Sequence, residues 1–258
     1  MKKLKTKIKH AVRWRILALQ GKARDDNNQF DSIHLHFMKD KKNPVIFDVG
    51  AHKGESIQRF RNLFHDAVIH SFEPDSESHA VIENRWKGVP GIVLNNAGIS
   101  SQTGTLTFHR NLKSSTSGFH AINTDSLWAR NRSARHNVSP EEFTNLSYDV
   151  PVITIDSYMQ DRNIAHIDLL KIDTQGHEDD VFKGARNALN HGAIDIIETE
   201  LIVGDAYVKS LHFHDIEALL LPYGYRFYAL DKGGDLLRTP SLSFNAIYVH
   251  ERLLSRNA

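Results

Sequence analysis

Short apolar runs alternate with longer amphipathic segments from Pro44 onward. The run at 45–47 precedes a helical stretch over 55–64, and the run at 68–72 precedes another over 76–87. Strands that alternate with helices of this length predict βαβ units, in which right-handed crossovers join parallel strands. The sequence therefore predicts an α/β fold with a mostly parallel sheet and helices on both of its faces.

The same alternation continues toward the end of the chain. Further strands are predicted at 92–94, 167–172, 194–199, 225–230 and 245–250, and further helices at 179–190 and 211–221. Gly233 and Gly234 are expected to form the turn region between the last two strands.

The alternation is interrupted between residues 103 and 155. The segment 103–109 has the period of an antiparallel strand, a polar stretch follows over 111–149, and 150–155 is again strand-like. We expect this insertion to form a lid or a binding loop, because long irregular segments in compact domains are usually functional. Surface decoration with a short helix near 139–143 is the alternative.

The N-terminal region differs in charge from the rest. Every charged residue up to Arg24 is positive, and apolar residues recur at every fourth position from Leu4 to Ile16. This pattern predicts a basic amphipathic helix, and a second helix is predicted at 31–38. We favour packing of the apolar stripe on the main domain or on a partner, and contact with an anionic membrane surface is the alternative.

The composition excludes several classes of protein. Lys and Arg number 32 against 31 for Asp and Glu, so no protein-wide field for nucleic acid is expected. The absence of cysteine excludes disulfides, thiolate metal sites and cysteine nucleophiles. No segment reaches the ~18–20 apolar residues of a spanning helix. We expect a cytoplasmic protein, or one peripheral to an inner membrane face, with an extension over 1–43 and a main domain over 44–258.

Polar residues follow five of the predicted strands, and they are Asp48, Glu73, Asn96, Asp173 and Glu200. The carboxyl ends of parallel strands meet at one edge of a sheet, where α/β proteins bind their ligands. We therefore expect these five side chains to face one crevice.

A glycine loop follows the first of these strands. Three residues separate Gly50 from Gly54, a spacing that matches neither G-x-G-x-x-G nor a P-loop. Asp48 would repel a pyrophosphate but can receive an ammonium group, and Glu73 can accept two ribose hydroxyls. The combination favours S-adenosylmethionine (SAM), a nucleoside with a cationic tail, and a simple turn with a helix cap is the alternative.

Three segments resemble the FkbM family of SAM-dependent methyltransferases. They are F-D-V-G-A-H-K-G at 47–54, F-E-P at 72–74 and L-K-I-D-T-Q-G-H-E at 170–178, with T-I-D at 154–156 before the third. The resemblance covers about residues 44–250. It implies a Rossmann-like class I methyltransferase fold with a seven-stranded sheet, and usually O-methylation of a sugar or a small secondary metabolite.

The resemblance and the strand ends together imply a set of cofactor-binding residues. They are Asp48, Gly50, His52, Gly54, Glu73, Pro74, Asn96 and Ala97. His52 stands where the family usually has asparagine, and Gln175 where it usually has glutamate. The second departure makes the surroundings of Asp173 less negative, so the role of that glutamate does not carry over.

Catalysis of methyl transfer needs an aligned acceptor hydroxyl and a group that takes its proton. By position Asp173 and Glu200 are the candidate bases and His177 is a third, although an exposed histidine at a helix start is the favoured interpretation of His177. Asp173 and Glu200 could instead hold a divalent cation such as Mg²⁺. Lys171 is expected to pair with a carboxylate of a neighbouring strand, and Glu178 to favour its helix N-terminus.

The insertion carries the predicted acceptor site. Its candidate residues are Ser114, Ser115 and Ser117 and the arginines Arg130, Arg132 and Arg135. The arginines would attract an anionic acceptor, and a solvated helix face is the alternative. We expect a small-molecule or glycan acceptor and no nucleic acid, while the basic residues before Arg24 leave an RNA or protein acceptor open. An NAD-dependent oxidoreductase and a non-catalytic binding protein are the competing functions.

Overall fold

The computed structural model describes residues 30–209, 211–231 and 242–255, without the side chains of Val203 and Leu242. The basic helix predicted before Arg24 and the turn predicted at Gly233 and Gly234 lie outside the described residues. The helix predicted at 31–38 is present with those bounds.

The described elements alternate in the predicted order. The strands are β1 (Val45–Val49), β2 (Val68–Phe72), β3 (Ile92–Asn95), β4 (Gly98–Ile99), β5 (Gly104–Asn111), β6 (Thr144–Ile153), β7 (Ile167–Ile172), β8 (Ile194–Val203), β9 (Tyr225–Leu230) and β10 (Leu242–His250). The helices are α1 (Asp31–Met38), α2 (Glu55–Leu63), α3 (Ser76–Trp86), α4 (Leu127–Ala134), α5 (Ile155–Asp161), α6 (Glu178–Gly184), α7 (Arg186–Asn190), α8 (Phe213–Leu220) and α9 (Glu251–Leu254).

Seven of the described strands form one sheet in the order β3-β2-β1-β7-β8-β10-β9. Neighbouring strands pair in parallel except for β10, which is antiparallel to both β8 and β9. The predicted α/β fold with a mostly parallel seven-stranded sheet is confirmed. The carboxyl ends of the parallel strands therefore lie at one edge.

Each face of this sheet carries its own apolar core. Side chains alternate between the two faces along a strand, so Ile46 of β1 packs in one core and Phe47 in the other. Helices α1, α2, α3 and α9 contribute to the Ile46 side, and α5 to α8 contribute to the Phe47 side. The helices thus cover both faces, as predicted.

The insertion is more regular than the sequence predicted. Strands β4, β6 and β5 form a separate three-stranded sheet, and α4 lies in the basic run. The helix predicted near 139–143 is wrong. Instead Ser139 and Glu142 bond each other in a turn, and Phe143 is buried beside Trp128 directly before β6 begins.

Several predicted boundaries also differ from the structure, two of them for a reason that the hydrogen bonds show. The strand predicted at 150–155 begins earlier and ends at Ile153, because Thr154 caps α5 by accepting a hydrogen bond from Ser157. The helix predicted at 179–190 divides into α6 and α7, since the Asp156 carboxylate accepts the first backbone N–H groups of α7, Asn187 and Ala188 among them.

The length and the apolar character of the described helices bear on the prediction that no segment spans a membrane. No helix within residues 30–209, 211–231 and 242–255 is long and apolar enough to cross a membrane.

Candidate active site

A cavity of about 430 Å³ opens at the carboxyl ends of β1, β2 and β7. This volume lies within the range of about 300–1,000 Å³ typical of small-molecule sites. Its walls comprise Val49, Gly50, Ala51, His52, Glu55, Ser56, Phe72, Glu73, Pro74, Gly98, Ile99, Phe108, Ser114, Ser115, Ser117, Gly118, Phe119, Lys171, Asp173, Thr174 and Gln175. The cavity thus brings together the glycine loop, the second strand end, the insertion and the loop after β7.

The glycine loop turns back against the neighbouring strand. Gly50 has a φ of 77°, and its N–H and that of Ala51 both donate to the Phe72 carbonyl. A Cβ on Gly50 would lie 1.8 Å from the Asp173 carbonyl oxygen. Glycine is therefore required here because two loops of the site approach each other. Gly54 begins α2 in the left-handed conformation and does not line the cavity.

Glu73 lies on the cavity wall with its carboxylate held by two backbone amides. Oε2 accepts from His52 N at 2.7 Å, and Oε1 accepts from Asp75 N at 2.9 Å. Burial raises the pKa of Glu73 to about 8, although both amides act to lower it. The His52 ring lies 2.9 Å from Ser114 Oγ and so joins the glycine loop to the insertion.

Lys171 separates Asp48 from the cavity. Asp48 is fully buried, and its carboxylate accepts no hydrogen bond from the described residues. Lys171 Nζ lies 3.4 Å from Asp48 Oδ1 and 3.5 Å from Asp173 Oδ2, and it donates to the Gly50 carbonyl. Burial alone would lower the pKa of Lys171, but Asp173 and Asp48 raise it. The ammonium group beside Asp48 is thus that of Lys171, and a direct role of Asp48 toward a cofactor stays a prediction.

Asp173 and Glu200 are joined by the amide of Gln175. Gln175 Nε2 donates to Asp173 Oδ1 at 2.9 Å and to Glu200 Oε2 at 2.5 Å, while its Oε1 accepts from the Tyr207 hydroxyl at 2.8 Å. Glu200 lies inside β8 and not at its end, because β8 extends to Val203 to pair with β10. A cation shared by the two carboxylates would have to displace this amide, so that alternative stays a prediction.

The two carboxylates of this pair differ in their pKa. Desolvation would raise the pKa of Asp173, but the Lys171 ammonium and the Gln175 amide hold it below its ordinary value. Burial, followed by repulsion from Asp173 and Glu178, raises the pKa of Glu200 well above its ordinary value. Asp173 therefore carries the charge of the pair, and its side chain, 37% exposed, faces the cavity.

His177 is buried, so its interpretation as an exposed histidine is wrong. Its Nε2 lies 3.1 Å from Ser100 Oγ, its Nδ1 lies 3.4 Å from His120 Nε2, and Phe119 covers its ring. Burial lowers the pKa of His177 to about 4. The ring is off the cavity wall, and its catalytic role stays a prediction.

Glu178 closes the loop after β7. Its Oε1 accepts from Thr174 N, Thr174 Oγ1 and Gly176 N over 2.9–3.2 Å. The carboxylate therefore shapes the loop that carries Gln175, in addition to standing in the first turn of α6.

The remaining predicted residues divide between the wall and the rim. Pro74, Ser114 and Ser115 line the cavity. Asn96 and Ala97 do not, although the Asn96 amide donates to the Glu73 carbonyl and supports that loop. The three predicted arginines also lie off the wall: Arg130 and Arg135 are exposed, and Arg132 stands over the Trp128 ring at 5.5 Å.

Two groups of three side chains among the described residues bring metal-ligating atoms together. They are His120, His177 and Asp180, and His166, Asp168 and Asp195. In each group a carboxylate already pairs with a lysine outside the group. Lys209 pairs with Asp180, and Lys41 pairs with both Asp168 and Asp195. Neither group includes Asp173 or Glu200.

Sequence reasoning missed several residues of the wall. Phe108 and Phe119 come from the insertion, where no hydrophobic periodicity of the sequence predicted which way their side chains point. Thr174 and Gln175 lie inside the segment at 170–178, and the departure at Gln175 was the available signal.

The comparisons with known proteins agree on one family. The family model described as the methyltransferase FkbM domain matches residues 48–227. The 2-O-methyltransferase NoeI of Sinorhizobium fredii is 26% identical over 58% of this chain and 60% of its own length. The hexuronic acid methyltransferase AglP of Haloferax volcanii is 24% identical over 72% of this chain and 65% of its own length. The chain thus spans less than two thirds of the length of these curated relatives.

The solved structures that this chain matches are more distant in sequence. The magnesium protoporphyrin IX methyltransferase ChlM of Synechocystis PCC 6803 with bound SAM has a TM-score of 0.45 and 9% identity, and the match covers 88% of this chain and 86% of that one.

Proposed function

The chain belongs to the FkbM family of methyltransferases, and from this we propose that it transfers a methyl group from SAM to a hydroxyl of a sugar or similar small acceptor. The observation that carries the proposal is the cavity wall, on which the ionised Asp173 and the buried Glu73 stand on either side of the glycine loop. The names of NoeI and AglP, a 2-O-methyltransferase and a hexuronic acid methyltransferase, support oxygen as the accepting atom and a sugar as the acceptor.

The residues present suit SAM. Each Glu73 oxygen accepts one amide N–H and has capacity for one hydrogen bond with a ribose hydroxyl as well. Phe72, Pro74 and Phe108 offer an apolar surface for an adenine ring. Gly50, His52, Glu73 and Pro74 are the proposed holders of SAM, which when bound supplies a methyl group activated by a sulfonium.

The residues after β7 act on the acceptor. An alcohol is a weak nucleophile until a base removes its proton, and such a base contributes about 10²–10⁴-fold to the rate. Asp173 accepts that proton, because Lys171 and Gln175 keep its carboxylate ionised. Glu200, whose pKa burial raises well above its ordinary value, fixes the direction of the Asp173 carboxylate through Gln175. The serines of the insertion, Ser114 and Ser115, contact the acceptor from the opposite wall.

Ligand-dependent stability tests the cofactor directly. Melting of the full chain is measured with S-adenosylhomocysteine (SAH), SAM and NAD, each at about 100 times the dissociation constant. A bound ligand then stabilises by about 2.7 kcal/mol, which raises the melting temperature by about 5–11 °C for a chain of this size. We expect the rise with SAH and SAM and none with NAD.

Glu73→Gln and the exposed Glu141→Gln form a matched pair of variants for this test. Glu73→Gln is expected to reduce the SAH shift, since its amide nitrogen replaces one of the two oxygens that accept from the His52 and Asp75 backbone amides, while Glu141→Gln keeps it. A shift with NAD alone, or no shift with any of the three ligands, contradicts the proposal. Transfer of a tritiated methyl group to a panel of sugars then identifies the acceptor.

A further inference from the structure

Three cations of the insertion lie off the cavity wall and within electrostatic reach of one another. They are Lys113, Arg132 and Arg135, and none of them forms an ion pair within the described part of the chain. Two other cations near the site are neutralised: Arg110 binds Glu77, and Lys171 binds Asp48 and Asp173. The group therefore presents uncompensated positive charge.

Lys113 is fixed next to the cavity wall by its own backbone. Its carbonyl accepts from Thr116 N at 2.9 Å and from Thr116 Oγ1 at 2.8 Å, which forms the turn that carries Ser114 and Ser115. Those two serines line the cavity. The backbone of Lys113 thus directly precedes the wall that faces the acceptor.

Arg132 is connected to the cavity wall by packed rings. Its guanidinium stands over Trp128 at 5.5 Å, and the Trp128 ring lies 5.8 Å from the Tyr207 ring. The Tyr207 hydroxyl donates to Gln175 Oε1 on the cavity wall and lies 3.0 Å from the Thr116 carbonyl. This packing holds the half-buried Arg132 in place and connects it through Tyr207 to Gln175.

The electrostatics of the group favour a bound anion. Desolvation, followed by repulsion from Arg132 and Arg135, lowers the pKa of Lys113, and Glu200 acts in the opposite direction. Desolvation and Arg135 lower the pKa of Arg132 in the same way. An anion placed among these cations relieves their repulsion, and a guanidinium fork suits the two oxygens of a carboxylate or phosphate.

We propose that Lys113 and Arg132 bind an oxyanion, a carboxylate or a phosphate, carried by the acceptor close to the hydroxyl that is methylated. The inference rests on the proposed function and adds the charge of the acceptor to it. Ser114 and Ser115 then contact the neutral part of the acceptor while the two cations select its anionic substituent.

Calorimetric titration of the full chain saturated with SAH tests the inference. The probes are glucuronate, glucose 6-phosphate and glucose, which share a sugar ring and differ at one carbon. We expect glucuronate or glucose 6-phosphate to bind at least about tenfold more tightly than glucose, the size of one charged hydrogen bond. The tighter of the two identifies the oxyanion as carboxylate or phosphate.

Arg130 and Arg132 provide a matched control on one helix. They are two positions apart on α4, so they point in different directions, and Arg130 is exposed. Lys113→Gln and Arg132→Gln are each expected to lose about tenfold in affinity for the anionic sugar and none for glucose, while Arg130→Gln keeps both. Arg132→Lys retains a charge and the stem over Trp128, and it is expected to recover part of the loss.

The outcomes separate the two proposals. Equal binding of the three sugars, or binding of none of them, by a protein that binds SAH overturns the inference and leaves the methyltransferase proposal standing. An equal loss in Arg130→Gln and Arg132→Gln also overturns it, because a diffuse field would then explain the preference. Failure to bind SAH overturns the proposed function and the inference with it.

Discussion

The side-chain amide of Gln175 donates a hydrogen bond to Asp173 Oδ1 over 2.9 Å. The same nitrogen donates to Glu200, and the amide oxygen accepts from Tyr207. One side chain thus connects the cavity wall to β8 and to Tyr207. A glutamate in this position would place a third carboxylate beside two others. The glutamine therefore adds no negative charge between Asp173, whose pKa is lowered, and Glu200, whose pKa burial raises well above its ordinary value.

Gln175→Glu is expected to shift the acidic limb of the pH–rate profile to higher pH. The pKa of Asp173 is now held low by Lys171 and by the Gln175 amide, and the substitution replaces that donor with a negative charge. Asp173 then protonates at a higher pH, so activity is lost earlier on acidification and is retained above the new pKa. Initial rates of methyl transfer measured across the pH range check this, with the exposed Gln102→Glu as control. An unchanged acidic limb would show that Asp173 is not the group that titrates.

Gly50→Ala is expected to destabilise the fold and not only the site. A Cβ at this position overlaps the Asp173 carbonyl oxygen, and the φ of 77° is unfavourable for any other residue. The left-handed conformation alone costs about 1–2 kcal/mol, so the free energy of unfolding should fall by at least about 2 kcal/mol. Urea unfolding measures the change. Gly104→Ala, where an added Cβ meets no atom within 4 Å, is the control and should change stability little.

The sequence was sufficient to predict the sheet, since apolar runs and helical periods define βαβ units wherever they occur. It also placed Asp173 at the end of β7. The role of Gln175 could not be predicted, because it depends on the register that sets Ile172 opposite Thr199 and so brings Glu200 alongside Asp173. The burial of His177 depends on contacts with Phe119 and His120. These two residues lie in a polar stretch without hydrophobic periodicity, so the sequence does not show which way their side chains point.

Glu73→Gln is expected to gain stability relative to the wild type as the pH rises. Burial raises the pKa of Glu73 from an ordinary value of 4.5 to about 8 in the folded chain. The folded state therefore binds this proton more tightly than the unfolded state does. The bound proton contributes stability that is complete below pH 4.5 and is lost as the pH rises through 8. The glutamine cannot ionise and avoids that loss.

The measurement is the difference in unfolding free energy between Glu73→Gln and the wild type from pH 4.5 to 8. Its slope should be positive and reach at most about 1.4 kcal/mol per pH unit. Glu141→Gln, at an exposed position, should show a flat difference. A flat difference in Glu73→Gln as well would mean that the carboxylate is charged in the folded chain at neutral pH.

Lys171→Met is expected to be strongly destabilising, and a second substitution should recover part of the loss. The Lys171 ammonium is 9% exposed and lies between the carboxylates of Asp48 and Asp173. Removal of one partner from a buried pair typically costs about 3–5 kcal/mol, because the remaining charge is left uncompensated. Asp48→Asn removes that charge from the buried side, so the double variant should be more stable than Lys171→Met alone.

A double-mutant cycle in urea separates this pairing from simple packing. If Asp48 and Lys171 act as a pair, the two single substitutions lower the free energy of unfolding by a sum that exceeds the loss in the double variant. Additive losses would show that the charges do not interact. The exposed pair Lys87 and Glu83, at 2.7 Å on α3, gives the matched cycle, and its coupling should stay below about 1 kcal/mol. A larger coupling at the buried pair than at this exposed one would establish that Lys171 compensates Asp48 beneath the cavity.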